Sequence, residues 1–355
     1  MMIRVENLRK LMRENDLEAF LVTSPYNLRY LTNFTGTTGL AVITLNNAYF
    51  VTDFRYTEQA AMQAKGYTIV KNTGPIFEEV AKICTQDELK NLAFEESFVT
   101  VRDYDQLEDL IHETSLVPVS GLIESLREIK DEKEVEITKK ACEIADKAFL
   151  HILDYVKPGM SEIQVANELD FFMRSLGASG VSFDTIVASG LRSAMPHGVA
   201  SEKLIEQNDL ITIDFGCYYQ GYVSDMTRTF GIGDPGEKLK EIYQVVLEAQ
   251  LKVIEAAKPG MTGVQLDAVA RDHIASYGYR EAFGHSTGHG IGLEIHEGPN
   301  VSFRAEKAFV PGNIITDEPG IYLPGIGGVR IEDDLLITQT GNEVLTHAPK
   351  ELILL

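Results

Sequence analysis

Through residue 124 the hydrophobic positions recur with two alternating periods. The runs AFLVTS (19–24), GLAVITL (39–45) and AYFVTD (48–53) are short and rich in β-branched and aromatic residues, which predicts strands, whereas apolar residues near 3–15 and 26–31 recur at helical spacing. Further helix–strand pairs follow and end at LVPVS (116–120). The alternation predicts an α/β domain over residues 1–124. Its acidic residues fall mostly in helical stretches beside lysine, and it holds one histidine, His112, so the chemistry is expected elsewhere.

Near residue 125 the pattern changes. SLREIKDEKEVEITKKACEIADKAF (125–149) opens as a charged connection and becomes a long helix, with Val135, Ile137, Ala141, Ile144 and Phe149 at near-helical spacing. A second domain is therefore expected over residues 125–355, and it carries an internal repeat. KPGMSEIQVANELDFFMRSLG (157–177) and KPGMTGVQLDAVARDHIASYG (258–278) share seven identities in 21 positions at an offset of 101. Each copy turns at Pro-Gly, is capped by Ser161 or Thr262, and starts a helix. LITIDFG (210–216) and IITDEPG (314–320) continue the repeat at an offset of 104, setting Asp214 opposite Glu318, and PHG (196–198) is expected to answer GHG (288–290). The domain is thus predicted to be two related αβ lobes about a pseudo-two-fold axis, each contributing a carboxylate at a strand end and a second from the returning strand, Asp225 and Glu332.

Composition bounds what this fold can do. With 355 residues and 44% hydrophobic content the chain can fill more than one core, and a formal charge of −21 argues against nucleic acid or an anionic membrane as partner. The first residues, MMIRVENLRKLMREND, form an amphipathic rather than a signal-peptide pattern, and no apolar run approaches membrane-spanning length, so a cytoplasmic location is expected. Cys84, Cys142 and Cys217 lie far apart, without metal-ligand spacing, and are expected to be small buried hydrophobes.

The candidate chemistry sits in four segments: ITIDFG with SDMTRT, GHSTGHGIGLEIHE, TDEPGIY and GGVRIEDD. They supply Asp214, Asp225, His289, Glu318 and Glu332 as candidate ligands, and four carboxylates with one imidazole suit hard or borderline divalent ions. Around one such ion the carboxylates would leave a charge of about −2 in a partly dry cavity; two ions bring it to about zero. Two ions roughly 3.5–4 Å apart can share a bridging hydroxide, a nucleophile suited to peptide or ester hydrolysis. LITIDFGCYYQGYVSDMTRTF reads as a hairpin turning near Gln220-Gly221, with Asp214 and Asp225 facing each other and Thr227 donating to a carboxylate. His285 and His296 crowd around His289 as candidate donors to substrate, while Arg330 is open between binding substrate and neutralising the cluster. Asp317, Asp333 and Asp334 are the competing carboxylates; the repeat selects Glu318 over Asp317, strand alternation sets Glu332 with Arg330 rather than with Asp333, and Asp334 stays open.

These motifs resemble the pita-bread metallopeptidases, the group of methionine aminopeptidase, aminopeptidase P and prolidase, over essentially the whole chain. The first domain resembles the creatinase/prolidase N-terminal domain and REIKDEKEVEITKKA the helix joining the two. The resemblance implies that Asp214 binds one metal, that Asp225 and Glu332 bridge two, that His289 and Glu318 complete the second, and that Glu318 is also the general base. It further implies that His197, His285, His296 and Arg330 bind the scissile carbonyl and the prolyl side, with two divalent ions, manganese foremost and cobalt or zinc as alternatives. All five ligands are present, which argues against a non-catalytic peptide-binding relative. The first domain and Arg330 argue against methionine aminopeptidase, leaving the enzymes that cleave before proline, whose missing N–H and fixed φ defeat ordinary proteases. TDEPGIYLPGIGGVRIEDDLLIT, MPHGVAS and the compact length favour aminopeptidase P, acting on peptides with proline second, over an Xaa-Pro dipeptidase. A homodimer is the expected assembly.

Overall fold

The strand-forming runs of the first domain assemble into one six-stranded sheet. In the computed structural model, which describes residues 2–355, the chain divides into two compact units, one ending at Arg127 and one running from Glu128 to Leu355. The first contains α1 (Met2–Glu14), β1 (Ala19–Val22), α2 (Pro25–Thr32), β2 (Leu40–Thr44), β3 (Ala48–Thr52), α3 (Thr57–Gln63), β4 (Thr68–Lys71), α4 (Ile76–Gln86), β5 (Asn91–Glu95), α5 (Val101–Leu110), β6 (Ser115–Val119) and α6 (Leu122–Arg127). The sheet order is β4-β3-β2-β1-β5-β6, antiparallel through β1, β2 and β3 and parallel elsewhere. Strands β1 to β3 are buried at every position, which is why they read as unbroken apolar runs.

The second unit opens with α7 (Glu132–Tyr155), capped by Asp131 in a reciprocal box with Glu134. Ala141, Ile144 and Phe149 are buried as the spacing predicts, but Val135 and Ile137 are only half-buried and Glu134 and Thr138 take the inward positions. Polar residues fit there because each is satisfied: Glu134 also accepts from the Tyr222 hydroxyl at 2.6 Å, and the Thr138 hydroxyl donates to the Glu134 carbonyl.

The repeat is visible as geometry. α8 (Glu162–Ser175) and α10 (Gly263–Ser276) are both 14 residues long, and Ser161 with Gln164 and Thr262 with Gln265 form matching capping boxes. Between and after them run β7 (Gly180–Val181), β8 (Ile186–Ser189), β9 (Leu210–Phe215), β10 (Cys217–Tyr219), β11 (Tyr222–Val223), β12 (Met226–Gly231), α9 (Glu237–Ala256), β13 (Gly288–Gly290), β14 (Glu297–Val301), β15 (Ile314–Asp317), β16 (Gly320–Leu323), β17 (Gly327–Arg330), β18 (Asp333–Ile337) and β19 (Asn342–Val344). Sheet β12-β9-β8 belongs to one lobe and sheet β14-β13-β15-β18-β19 to the other, each packed on its own apolar core.

Strand register corrects one expected correspondence. Ile186 pairs with both Asp214 and Val199; in the other lobe the Glu318 amide bonds the Thr287 carbonyl and Gly288 pairs with Val301. Asp214 and Glu318 are therefore equivalent, but the counterpart of His197 is Asn300, just ahead of Val301, and not His289. The short PHG and GHG motifs match in letters while lying on different segments of their lobes.

Candidate metal centre

Each ligand candidate is delivered by the end or the break of a strand. Asp214 is near the end of β9, Asp225 precedes β12, His289 is central in β13, Glu318 follows β15, and Glu332 lies between β17 and β18. The hairpin expected to set Asp214 against Asp225 forms in another register, because its two-residue turn at Gln220-Gly221 pairs Tyr219 with Tyr222 and, on the same count, Asp214 with Thr227. Thr227, not Asp225, is the partner of Asp214, and the chain leaves the ladder at Gly216, where a Cβ would stand 1.8 Å from the Ser224 carbonyl oxygen. Asp225 is two residues from Thr227 and shares its face. Gly288 has a similar part beside His289, since a Cβ there would lie 2.1 Å from the Thr316 carbonyl oxygen.

All five candidates line one cavity of about 480 Å³, together with His197, His285, His296 and Arg330. Ligand atoms of Asp225, His289 and Glu332 fall within 4.8 Å of one another. His289 Nδ1 faces the Gly290 carbonyl at 3.0 Å; a carbonyl can only accept, so Nδ1 carries the proton and Nε2 presents a bare lone pair. That lone pair lies 3.6 Å from Asp225 Oδ2 and 3.4 Å from Glu318 Oε1. Burial, reinforced by His296 with ring centroids 4.3 Å apart, lowers the His289 pKa to about 4 and keeps the ring neutral.

Three electron-rich groups converging without a proton between them repel one another. Burial, then Glu332 and Asp214, push Asp225 well above the usual carboxylate range; burial, then Glu318 and Asp214, do the same to Glu332. Glu318 rises to about 8, chiefly through burial and against the pull of Arg330. Oδ1 of Asp214 and Oδ1 of Asp225 are buried with no hydrogen-bond partner. Divalent cations would satisfy these oxygens and reverse the repulsion, so the residues present fit metal. The Thr227 hydroxyl donates to Glu332 Oε2 at 2.6 Å, fixing one oxygen and leaving the other for a ligand.

The competing carboxylates are used elsewhere. Asp333 is held by Arg228 at 2.8 Å, by Lys350, Gln250 and Thr346, and pairs across the sheet with the buried Asp317. Asp334 accepts from the Asp225 amide at 3.0 Å and the Cys142 thiol at 3.3 Å, so it orients the segment bearing Asp225. None of these three lines the cavity. The three cysteines are buried and free.

Arg330, left open between two parts, is committed to the protein. It donates to Asp214 Oδ2 at 2.6 Å, to the Tyr322 hydroxyl at 2.7 Å and to the Thr227 hydroxyl at 3.1 Å. Neutralising and steering Asp214 is the part the geometry gives it. His285 is likewise engaged at both nitrogens, by the Ser286 carbonyl and by the Tyr322 hydroxyl at 2.8 Å each, which leaves no free N–H to offer a substrate in this arrangement. His197 and His296 are exposed to the cavity. Sequence reasoning missed Tyr322, which joins His285 to Arg330 and carries no charge signal, and Asn300, which aligning Pro196-His197 with Pro299-Asn300 would have found.

Carboxylates and an imidazole gathered in one cavity by two related αβ lobes define a metallopeptidase. The chain belongs to metallopeptidase family M24, whose model matches residues 136–339, and a model of the creatinase/prolidase N-terminal domain matches residues 4–129. The expected α/β architecture, a creatinase/prolidase-like domain followed by a pita-bread domain, is the one its relatives share. A solved Xaa-Pro dipeptidase from Bacillus anthracis is 54% identical, with a TM-score of 0.98 over 100% of this chain and 99% of that one. An Xaa-Pro dipeptidase from Pyrococcus furiosus is 42% identical over 99% of both chains. The crystal structure of an X-Pro aminopeptidase from Thermotoga maritima is 40% identical, with a TM-score of 0.91 over 95% of this chain and 97% of that one. Among the described residues no helix is long and apolar enough to cross a membrane.

Proposed function

We propose that this metallopeptidase is an Xaa-Pro dipeptidase that uses two divalent ions, manganese foremost, held by Asp214, Asp225, His289, Glu318 and Glu332. The observation behind the metal chemistry is the convergence of Asp225, His289 and Glu332 with bare acceptor atoms facing one another. The dipeptidase reading rests on full-length likeness to the Bacillus anthracis and Pyrococcus furiosus dipeptidases, and it displaces the aminopeptidase P preference drawn from motifs and length. Aminopeptidase P is the second reading, favoured by the Thermotoga maritima structure. A cytoplasmic homodimer remains part of the proposal.

When bound, the ions supply Lewis acidity and lower the pKa of water. Glu318, next to His289 and half-buried, accepts the proton of the attacking water and returns it to the departing prolyl nitrogen. His197 and His296, exposed to the cavity, donate to the scissile carbonyl as charge develops on it. Arg330 keeps Asp214 oriented, and Tyr322 holds Arg330 and His285 in one chain of hydrogen bonds. A cavity of about 480 Å³ lies toward the small end of ligand sites and suits a dipeptide.

The test is hydrolysis of Leu-Pro and Leu-Pro-Pro-Gly by metal-stripped enzyme with and without added Mn²⁺. Manganese-dependent cleavage of Leu-Pro alone supports the dipeptidase. Release of leucine from the longer peptide would establish the aminopeptidase instead, and cleavage of neither would remove both readings.

A further inference from the structure

One buried carboxylate closes both ends of the loop that carries His197. Glu162 is the first residue of α8 and is fully buried. Its Oε1 accepts from the Ser189 amide and hydroxyl, each at 2.9 Å, and its Oε2 from the Ser201 amide at 3.0 Å and hydroxyl at 2.6 Å. Ser189 ends β8 and Ser201 follows the loop, so residues 190–200 leave and return at the two oxygens of one side chain. Arg192 lies inside this loop. Its Nε donates to both Glu162 oxygens, at 3.2 and 3.0 Å, and its Nη2 to the Val199 carbonyl at 2.8 Å.

Helix α8 does not need Glu162 for its cap, because Ser161 and Gln164 already form one. What the acid holds is the segment that presents Pro196, His197 and Val199 to the cavity. The ring of His197 has no hydrogen-bond partner among the described residues, whereas both nitrogens of His285 have one. The direction of the His197 side chain is therefore set by its backbone, and that backbone is stapled at Ser189, Val199 and Ser201.

We infer that Glu162, acting with Arg192, is a positioning residue for His197, fixing the loop so that the imidazole meets the scissile carbonyl. The inference rests on the reading of His197 as a substrate contact. A displacement of about 1 Å in a reacting group can cost on the order of 100-fold in rate, so Glu162→Gln, which keeps the shape but weakens the accepted bonds, should lower kcat by about 10–100-fold with metal content unchanged.

A double-mutant cycle in kcat, run at saturating substrate and well below the Tm of each manganese-loaded variant, is the test. Glu162→Gln combined with His197→Ala should be no slower than His197→Ala alone, because the anchor acts only through that ring. Ser201→Ala, which removes one hydroxyl from the staple, serves as the milder anchor variant should Glu162→Gln fail to fold, and its smaller loss should also vanish in the His197→Ala background. Losses that multiply, or a Glu162→Gln enzyme with lowered Tm and kcat within threefold of the parent, would overturn the inference. If His197→Ala alone leaves kcat unchanged, the substrate contact of His197 itself is wrong and the inference falls with it, a result distinct from a failed cycle.

Discussion

His289 Nε2 stands 3.4 Å from Glu318 Oε1 and brings no proton of its own, because the ring's single hydrogen is turned to the Gly290 carbonyl. Without a cation this approach is repulsive, and the folded protein compensates by taking up protons on its carboxylates. Glu318 with a pKa of about 8, and Asp225 and Glu332 above their usual range, bind more protons folded than unfolded. Groups raised in this way favour folding below their unfolded pKa, about 4, and that contribution is lost as pH rises through the folded values. His289, held neutral with a pKa of about 4, acts in the opposite sense below its unfolded value of about 6.5, so the metal-stripped enzyme should lose stability between about pH 6.5 and 8, while metal affinity rises over the same interval as fewer protons must be displaced. Melting curves with and without Mn²⁺ should draw apart as pH rises; a constant gap would contradict this account.

Glu318→Gln removes the proton acceptor and keeps an oxygen that can face the metal site. Turnover of Leu-Pro should fall by about 10²–10⁴, with metal still detected by elemental analysis of the desalted variant. Unchanged turnover would take the general-base part from Glu318.

The hydroxyl that Thr227 donates to Glu332 can be deleted at nearly constant volume by Thr227→Val. Loss of such a supporting bond typically costs 10–100-fold in metal affinity. Titration of the stripped variant with Mn²⁺, read by calorimetry, should show a weakening of about that size, and an unchanged Kd would make Thr227 dispensable to the ligand it touches.

His296→Ala should lower kcat by about 10²–10³ if the imidazole stabilises charge on the carbonyl. A loss below threefold would assign His296 to packing against His289, whose ring it meets at 60°.

Arg228 is buried in β12, ties its lobe to the other through the Glu332 carbonyl and the Asp333 carboxylate, and also donates to the Ala348 carbonyl. Arg228→Met leaves Asp333 short of a cationic partner in the interior, and removing one member of such a pair costs about 3–5 kcal/mol. Urea unfolding of both forms measures the difference. A change under about 1 kcal/mol would mean that Lys350 alone satisfies Asp333.

Local chemistry was legible in the chain. The capped repeat at Ser161 and Thr262, the buried runs of β1 to β3 and the equivalence of Asp214 with Glu318 follow from period, capping and aligned segments, because these depend on neighbours a few residues away. Those features set the α/β character, the paired lobes and the ligand candidates. What only the tertiary structure decided lies at longer range. Asp225, set opposite Gly216 by the local turn at Gln220-Gly221, met His289 and Glu332 only across the lobes; the register exchanged His289 for Asn300 as the counterpart of His197; and the donors of Arg330 closed on Asp214, Tyr322 and Thr227. A side chain's partner depends on where distant strands stop and on which donors reach one carboxylate, and no periodicity in one dimension encodes a distance across two lobes.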